Sequence, residues 1–238
     1  SSDLIVGDSP GATDPLDDDS PLRQRALYLD GGADSAARLF APVANPWTSF
    51  RAFTVEAWVR PEALDGDRVI VERAGLITAN NPGTNNSTDV HRNFRLGTVD
   101  GIPYIGYDGF GSSWVYNTVM GSHNYRLAEG RWSHLAGVFD AVNKRLTLYV
   151  NGEMAGSKTT QQIPFNGYVA GDPATDNTPL AIDMMLTVGA ADENPAGVCD
   201  GSRGTIKSGA HRWGFPLMPE MPALANQWQG WVDEVRCW

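Results

Sequence analysis

Apolar and polar residues alternate with a period of two along short stretches of this chain, and apolar positions do not recur at the helical spacing of three and four. Across residues 54–60, Val55, Ala57 and Val59 fall on one side and Thr54, Glu56, Trp58 and Arg60 on the other. That is a strand with one face on a core and one in water. The same reading predicts strands over 26–29, 53–59, 68–72, 93–98, 102–107, 134–140, 146–150, 181–188 and 231–238. Each is short, rich in Val, Tyr, Phe or Trp, and bounded by Gly, Pro, Asn or Asp. In LTLYVNGEMAG, Asn151-Gly152 separates an alternating strand from its continuation. Both residues tolerate the positive φ of a type I′ turn, so this is a hairpin. Val55, Ala57, Val59, Leu135, Gly137, Phe139, Leu146, Leu148 and Val150 are expected on buried faces. Four long connections, 74–92, 108–125, 155–180 and 190–229, interrupt the strands. Loops longer than roughly 15 residues are uncommon unless functional or disordered, so function is expected on these.

Length and composition narrow the class. A chain of 238 residues suits one large β domain, and 26 Gly with 15 Pro supply the turns such a domain needs. Residues 1–24, with Asp17, Asp18 and Asp19 in a row and three prolines, show no periodicity and read as an acidic tail or linker. Within them Leu4-Ile5-Val6 alone can add as an edge strand. Residues 25–238 form the domain. No run approaches the roughly 18 apolar residues of a membrane-spanning helix. A net charge of −10 without clustered Lys or Arg excludes nucleic acid as a partner. The acidity serves solubility or supplies oxygen ligands for calcium. The start at Ser1 fits a chain whose signal peptide has been removed, so an exported protein, extracellular, cell-surface or periplasmic, is expected. The two cysteines, Cys199 and Cys237, lack a C-x-x-C spacing. Export favours one disulfide, closing a loop of roughly forty residues and stabilising by roughly 4 kcal/mol, over two separate buried thiols.

Six segments in order, ALYLDGG from Ala26, FTVEAWVRP from Phe53, GRWSHLAGVFD from Gly130, LTLYVNGE from Leu146, VGA at Val188 and GWVDEVRCW from Gly230, resemble the laminin-G-like and pentraxin-like domains of the concanavalin-A-like superfamily. The resemblance spans about residues 25–238 and implies an all-β, two-sheet antiparallel jelly-roll sandwich with long loops. It also implies a structural calcium ion, ligated near the first strand by Asp30 with Gly31 and by Asp233 in the last. The other reading gives Asp30 a turn with Gly31 and Asp233 a salt bridge. Strict alternation places Asp233, Val235 and Cys237 on one face, so an outward Asp233 carries Val235 outward unless a bulge intervenes.

Glycoside hydrolases of this fold carry a Glu-x-Asp-x-x-Glu run, which aims three acids into a cleft. The chain has no such run; Glu56, Glu62, Asp65 and Asp67 come nearest, and G-x-S-x-G and H-E-x-x-H are also absent. The expectation is therefore a non-enzyme. Sugar recognition needs flat aromatic faces with amides and carboxylates for hydroxyls. Phe110, Trp114, Tyr116 and Asn117 supply these in one loop, and Trp213, with His211 and Arg212, in another. The competing reading is that these aromatics anchor loops, as Trp58 and Trp132 are expected to pack on the sheet. His91, His123 and His211 are scattered candidates for a metal. Two functions follow: an exported binding module for carbohydrate or glycoconjugate, and a structural subunit making contacts with another exported protein. Hydrolase or lyase activity stands last.

Overall fold

A computed structural model describes residues 6–8, 25–32, 35–41, 51–79, 87–110, 114–165, 168–169, 180–181, 184–192 and 224–238. Its strands are β1 (Val6–Asp8), β2 (Arg25–Asp30), β3 (Ala37–Ala41), β4 (Phe53–Pro61), β5 (Asp67–Ala79), β6 (Ser87–Val99), β7 (Ile102–Phe110), β8 (Trp114–Met120), β9 (Ser133–Asp140), β10 (Arg145–Val150), β11 (Glu153–Thr159), β12 (Tyr168–Val169), β13 (Leu180–Ala181), β14 (Met184–Val188), β15 (Ala191–Asp192), β16 (Leu224–Ala225) and β17 (Gln229–Cys237). A single 3₁₀ turn at His123–Tyr125 is the only helical element among the described residues. One sheet runs β1-β2-β17-β4-β9-β10-β11 and the other β3-β14-β5-β6-β7-β8, with every strand pair antiparallel. The all-β jelly-roll sandwich expected from the sequence is the fold observed.

The core lies between these sheets because alternation aims one apolar set from each at the other. Val55, Ala57, Val59, Leu135, Phe139, Leu146, Leu148 and Val150 are all buried, as expected. They meet Val71, Phe94, Leu96, Ile105, Tyr107 and Val119 of the second sheet in one cluster. Each such side chain removed from water stabilises by about 1.5–3 kcal/mol. Aromatic edges bridge the sheets, with Phe53 against Phe94 at 5.4 Å and Tyr107 against Phe139 at 5.0 Å between ring centroids. Gly137 is buried in the same layer, and a Cβ there would stand 2.4 Å from Ile105 Cγ1. The two sheets therefore approach closely at this point because glycine carries no side chain. The hairpin at Asn151-Gly152 has φ of +51° and +81°, as a type I′ turn demands.

Two expectations about connections are corrected. Most of 74–92 and 108–125 is strand, because β5 and β6 run 13 residues each and β7 continues to Phe110 before β8 begins at Trp114. Polar and small residues concealed these extensions, whereas long pairing partners supply the backbone hydrogen bonds that hold them. Val6 of the N-terminal segment does join an edge strand, paired opposite Leu27.

In β17 the register shifts between Asp233 and Arg236, with Glu234 at φ +47°. This bulge resolves the conflict of alternation, since it lets Asp233 stay off the core while Val235 and Cys237 pack against it. On the outer face of the seven-stranded sheet, Trp58 packs against His134 at 5.2 Å and Tyr28 against Trp231 at 5.0 Å. These cross-strand pairs give Trp58 the sheet-packing role expected of it.

Candidate functional site

The outer face of the six-stranded sheet carries the densest set of chemically able groups in the described residues. Its geometry follows from register. Glu72 of β5 pairs opposite Arg95 of β6, Arg95 opposite Gly106 of β7, and Asp108 of β7 opposite Tyr116 of β8. Val71, Leu96 and Ile105 alternate with them and point into the core. The same period-two pattern that buries one face thus gathers the charges on the other.

Glu72 is completely buried and accepts hydrogen bonds from both Arg95 Nε and Arg92 Nε, the latter at 3.2 Å. Arg92 also lies 3.7 Å from Asp108 through its Nη1, and its backbone N–H donates to Asp108 Oδ2 at 2.7 Å. Asp108 Oδ1 accepts nothing among the described residues. The Arg92 guanidinium sits 5.9 Å from the centre of the Tyr116 ring, a cation–π geometry. Tyr116 remains 43% exposed, yet its hydroxyl end lies over Gly106, where a Cβ would stand 2.4 Å from the hydroxyl oxygen. An aromatic ring laid over a strand glycine also shields that stretch of backbone.

Burial sets the electrostatics of this face. Desolvation pushes the Tyr116 hydroxyl up to about 12, against the favourable charges of Arg95 and Arg92. Desolvation likewise raises Asp108 above the usual carboxylate range, opposed by the Arg92 N–H and the two guanidinium charges. Burial works to lower Arg95, but the neighbouring Glu72 charge carries it above its ordinary value, so it stays charged. Tyr104, beside them on the same sheet, donates to Asp67 Oδ1 at 3.0 Å, and burial raises its hydroxyl too.

Of the residues singled out from sequence, Tyr116 alone is seen to stand in this cluster. Asn117 is corrected: it faces the opposite side of β8, is 3% exposed, and donates to the Val115 carbonyl at 3.4 Å. Alternation next to Tyr116 requires this. Phe110 ends β7 and Trp114 opens β8, opposite each other in the ladder, and their side chains lie outside the described residues. Trp213, His211 and Arg212 lie outside them as well, as does Cys199. Cys237 has no disulfide partner among the described residues, and burial pushes its thiol up to about 12.

The calcium set does not come together. Asp30 pairs opposite Gln229 and Asp233 opposite Trp58, four residues further along β17. At roughly 3.3 Å per residue that is about 13 Å along the strand, too far for two short carboxylates to meet on one ion. Asp30 Oδ1 instead accepts the Gly32 N–H at 2.8 Å and closes the turn through Gly31, which has φ +76°. Asp233 Oδ1 accepts the Glu234 N–H at 2.7 Å within the bulge. Among the described residues no group of three His, Cys, Asp or Glu could hold a metal ion. His91 is buried edge-on against Phe165 and His123 lies in the 3₁₀ turn.

Sequence reasoning missed Glu72, Arg92, Arg95 and Asp108. Arg92 and Asp108 fell in segments read as loops, and no local motif links positions on three strands. The alternation in YIGYDG, with Ile105 and Tyr107 against Gly106 and Asp108, was a signal able to find one of them.

A laminin-G family model, described as concanavalin A-like lectin/glucanases superfamily, matches residues 28–182. A comparison with curated protein sequences finds no match. Among solved structures the chain is similar to domain 4 of an extracellular GH43 arabinanase from Geobacillus stearothermophilus in complex with arabinotriose, at 19% identity and TM-score 0.48, covering 100% of this chain and 75% of that one. It is also similar to a heptameric SAP-like pentraxin from Limulus polyphemus, at 15% and 0.44, covering 90% and 75%. Domains LG4-5 of the mouse laminin alpha1 chain match at 14% and 0.45, covering 91% of this chain and 41% of that one.

Proposed function

The chain belongs to the laminin-G branch of the concanavalin A-like lectins and glucanases, and from that premise we propose that it is a non-catalytic carbohydrate-binding module. Its ligand rests on the outer face of the six-stranded sheet, against Tyr116, Arg92 and Asp108. The exported location expected from the sequence belongs to the same reading. The observation that carries it is the half-exposed Tyr116 ring beside a guanidinium held in place by two carboxylates. Such a ring offers an apolar face to sugar C–H groups, while the fixed polar groups orient hydroxyls. The acids on this face support binding over hydrolysis: Glu72 is shut from solvent and shared by two arginines, so it is not placed to protonate a glycosidic oxygen.

The test is binding to a panel of polysaccharides by wild type, Tyr116→Ala and Tyr116→Phe. Tyr116→Ala is expected to weaken binding about tenfold or more while the fold is kept. Tyr116→Phe is expected to bind nearly as wild type, because the ring and not the hydroxyl meets the ligand. Trp114→Ala, two positions away on the same strand, belongs in the same assay. Full binding by a folded Tyr116→Ala protein would move the surface elsewhere, and release of reducing sugar by pure protein would end the non-catalytic reading.

A further inference from the structure

The charges of this face select among glycans. We infer that the ligand is an uncharged, hydroxyl-rich glycan, bound through hydroxyl donors to Asp108, and not an acidic one carrying carboxylate or sulfate. The inference rests on the carbohydrate-binding reading and names the substrate class of the same site.

Three observations support it. First, both cations already face carboxylates of the protein. Arg92 is 3.2 Å from Glu72 and 3.7 Å from Asp108, and Arg95 is bound to Glu72. Arginine recognises an anionic sugar by presenting its fork of N–H donors to the ligand's own oxygens. Here that ligand would have to share Arg92 with the protein's own carboxylates, and drawing Arg92 away would take one of two cations from Glu72, which has no access to water.

Second, Asp108 keeps capacity as an acceptor. Asp108 gives one oxygen to the Arg92 backbone N–H and keeps Oδ1 without a partner among the described residues, its side chain 10% exposed. A carboxylate oxygen in this position is satisfied by a hydroxyl donor and repelled by another carboxylate or a sulfate. A largely buried acceptor favours any ligand that brings an O–H and penalises one that does not.

Third, the charge around the site gives no opposing attraction. Glu72 and Asp108 balance Arg92 and Arg95, while the whole chain carries −10. An acidic polymer approaching this protein meets a net repulsive field, which slows encounter and weakens with salt. An uncharged glycan is indifferent to that field.

The experiment measures affinity for two sets of ligands by titration calorimetry or affinity electrophoresis, at low and at high salt. The neutral set contains arabinan, xylan, mannan and β-glucan. The acidic set contains polygalacturonate, hyaluronan, heparan sulfate and sialyllactose. The expected result is binding to a member of the neutral set, unchanged by salt and lost in Tyr116→Ala, with no comparable binding of the acidic set. Asp108→Asn keeps one acceptor for the Arg92 N–H and removes the charge. It should therefore leave the melting temperature close to wild type while weakening the neutral ligand about tenfold. The same variant should bind acidic ligands no worse than wild type does.

Binding confined to the acidic set and weakened by salt would overturn this inference while the carbohydrate-binding reading stands. Unchanged neutral-glycan affinity in a folded Asp108→Asn protein would overturn the role of Asp108. Absence of binding to either set would defeat the carbohydrate-binding reading itself, and the inference with it.

Discussion

Replacing Gly137 by alanine is expected to destabilise the protein by about 1–3 kcal/mol although it adds one methyl group. The Cβ would stand 2.4 Å from Ile105 Cγ1 and 2.5 Å from Ile105 Cδ1, across the gap between the sheets. Both atoms belong to a side chain with no exposure and with packed neighbours on every side, so it cannot swing clear as a surface side chain would. The sheets must separate locally or Ile105 must leave its rotamer. For a domain of this size each kcal/mol lowers Tm by roughly 2–4 °C. Ile105→Ala alone should cost about 2–5 kcal/mol through the cavity it leaves. The two substitutions together should cost clearly less than their sum, because the new methyl enters the space that Ile105 vacates. Denaturant unfolding of the four proteins checks this, and strict additivity would show that the two residues do not touch.

The second large effect is at Glu72. Glu72→Ala removes a carboxylate that both Arg92 and Arg95 address, in a position without solvent. Taking one partner from a buried ion pair typically costs about 3–5 kcal/mol, since the remaining charge loses its compensation and water cannot replace it. A fall in Tm on the order of 10 °C is expected. Replacing Glu72 and Arg95 together by leucine should recover part of that loss, because the desolvated charge and its partner leave at once. Binding supplies a second readout. With Glu72 gone the Arg92 guanidinium loses one of its two anchors, so glycan affinity per folded molecule should drop as well. A Glu72→Ala protein with wild-type Tm and wild-type affinity would mean that this network neither holds the sheet nor orients the site.

The face that carries the site was only partly legible in the sequence. Tyr116 stood out as an aromatic among polar neighbours, and it is the half-exposed ring of the cluster. Asn117 stood out with it and faces the other way, since the segment taken for a loop is strand and adjacent strand residues point to opposite faces. Glu72, Arg92, Arg95 and Asp108 lie on three strands and share no motif, so nothing in the linear order joins them. The two carboxylates expected to share a calcium ion lie apart for a related reason. Asp30 and Asp233 lie on paired neighbouring strands, but the register sets them about four residues apart.

What the sequence by itself determined is the set of properties that depend on near neighbours. Period-two alternation fixes which residues of a strand face the core, and so Val55, Ala57, Val59, Leu135, Phe139, Leu146, Leu148 and Val150 were known before the sheets were. Asn151-Gly152 fixed a turn because its positive φ angles are a property of those two residues. Tertiary structure decided everything that depends on pairing between distant segments: that β17 lies between β2 and β4, that a bulge after Asp233 returns Val235 and Cys237 to the core, and that Glu72 meets Arg95 and Arg92. Register is a sum of many weak cross-strand preferences, and one bulge shifts it by a residue and exchanges the faces. A site assembled across strands is therefore settled only when the whole sheet is.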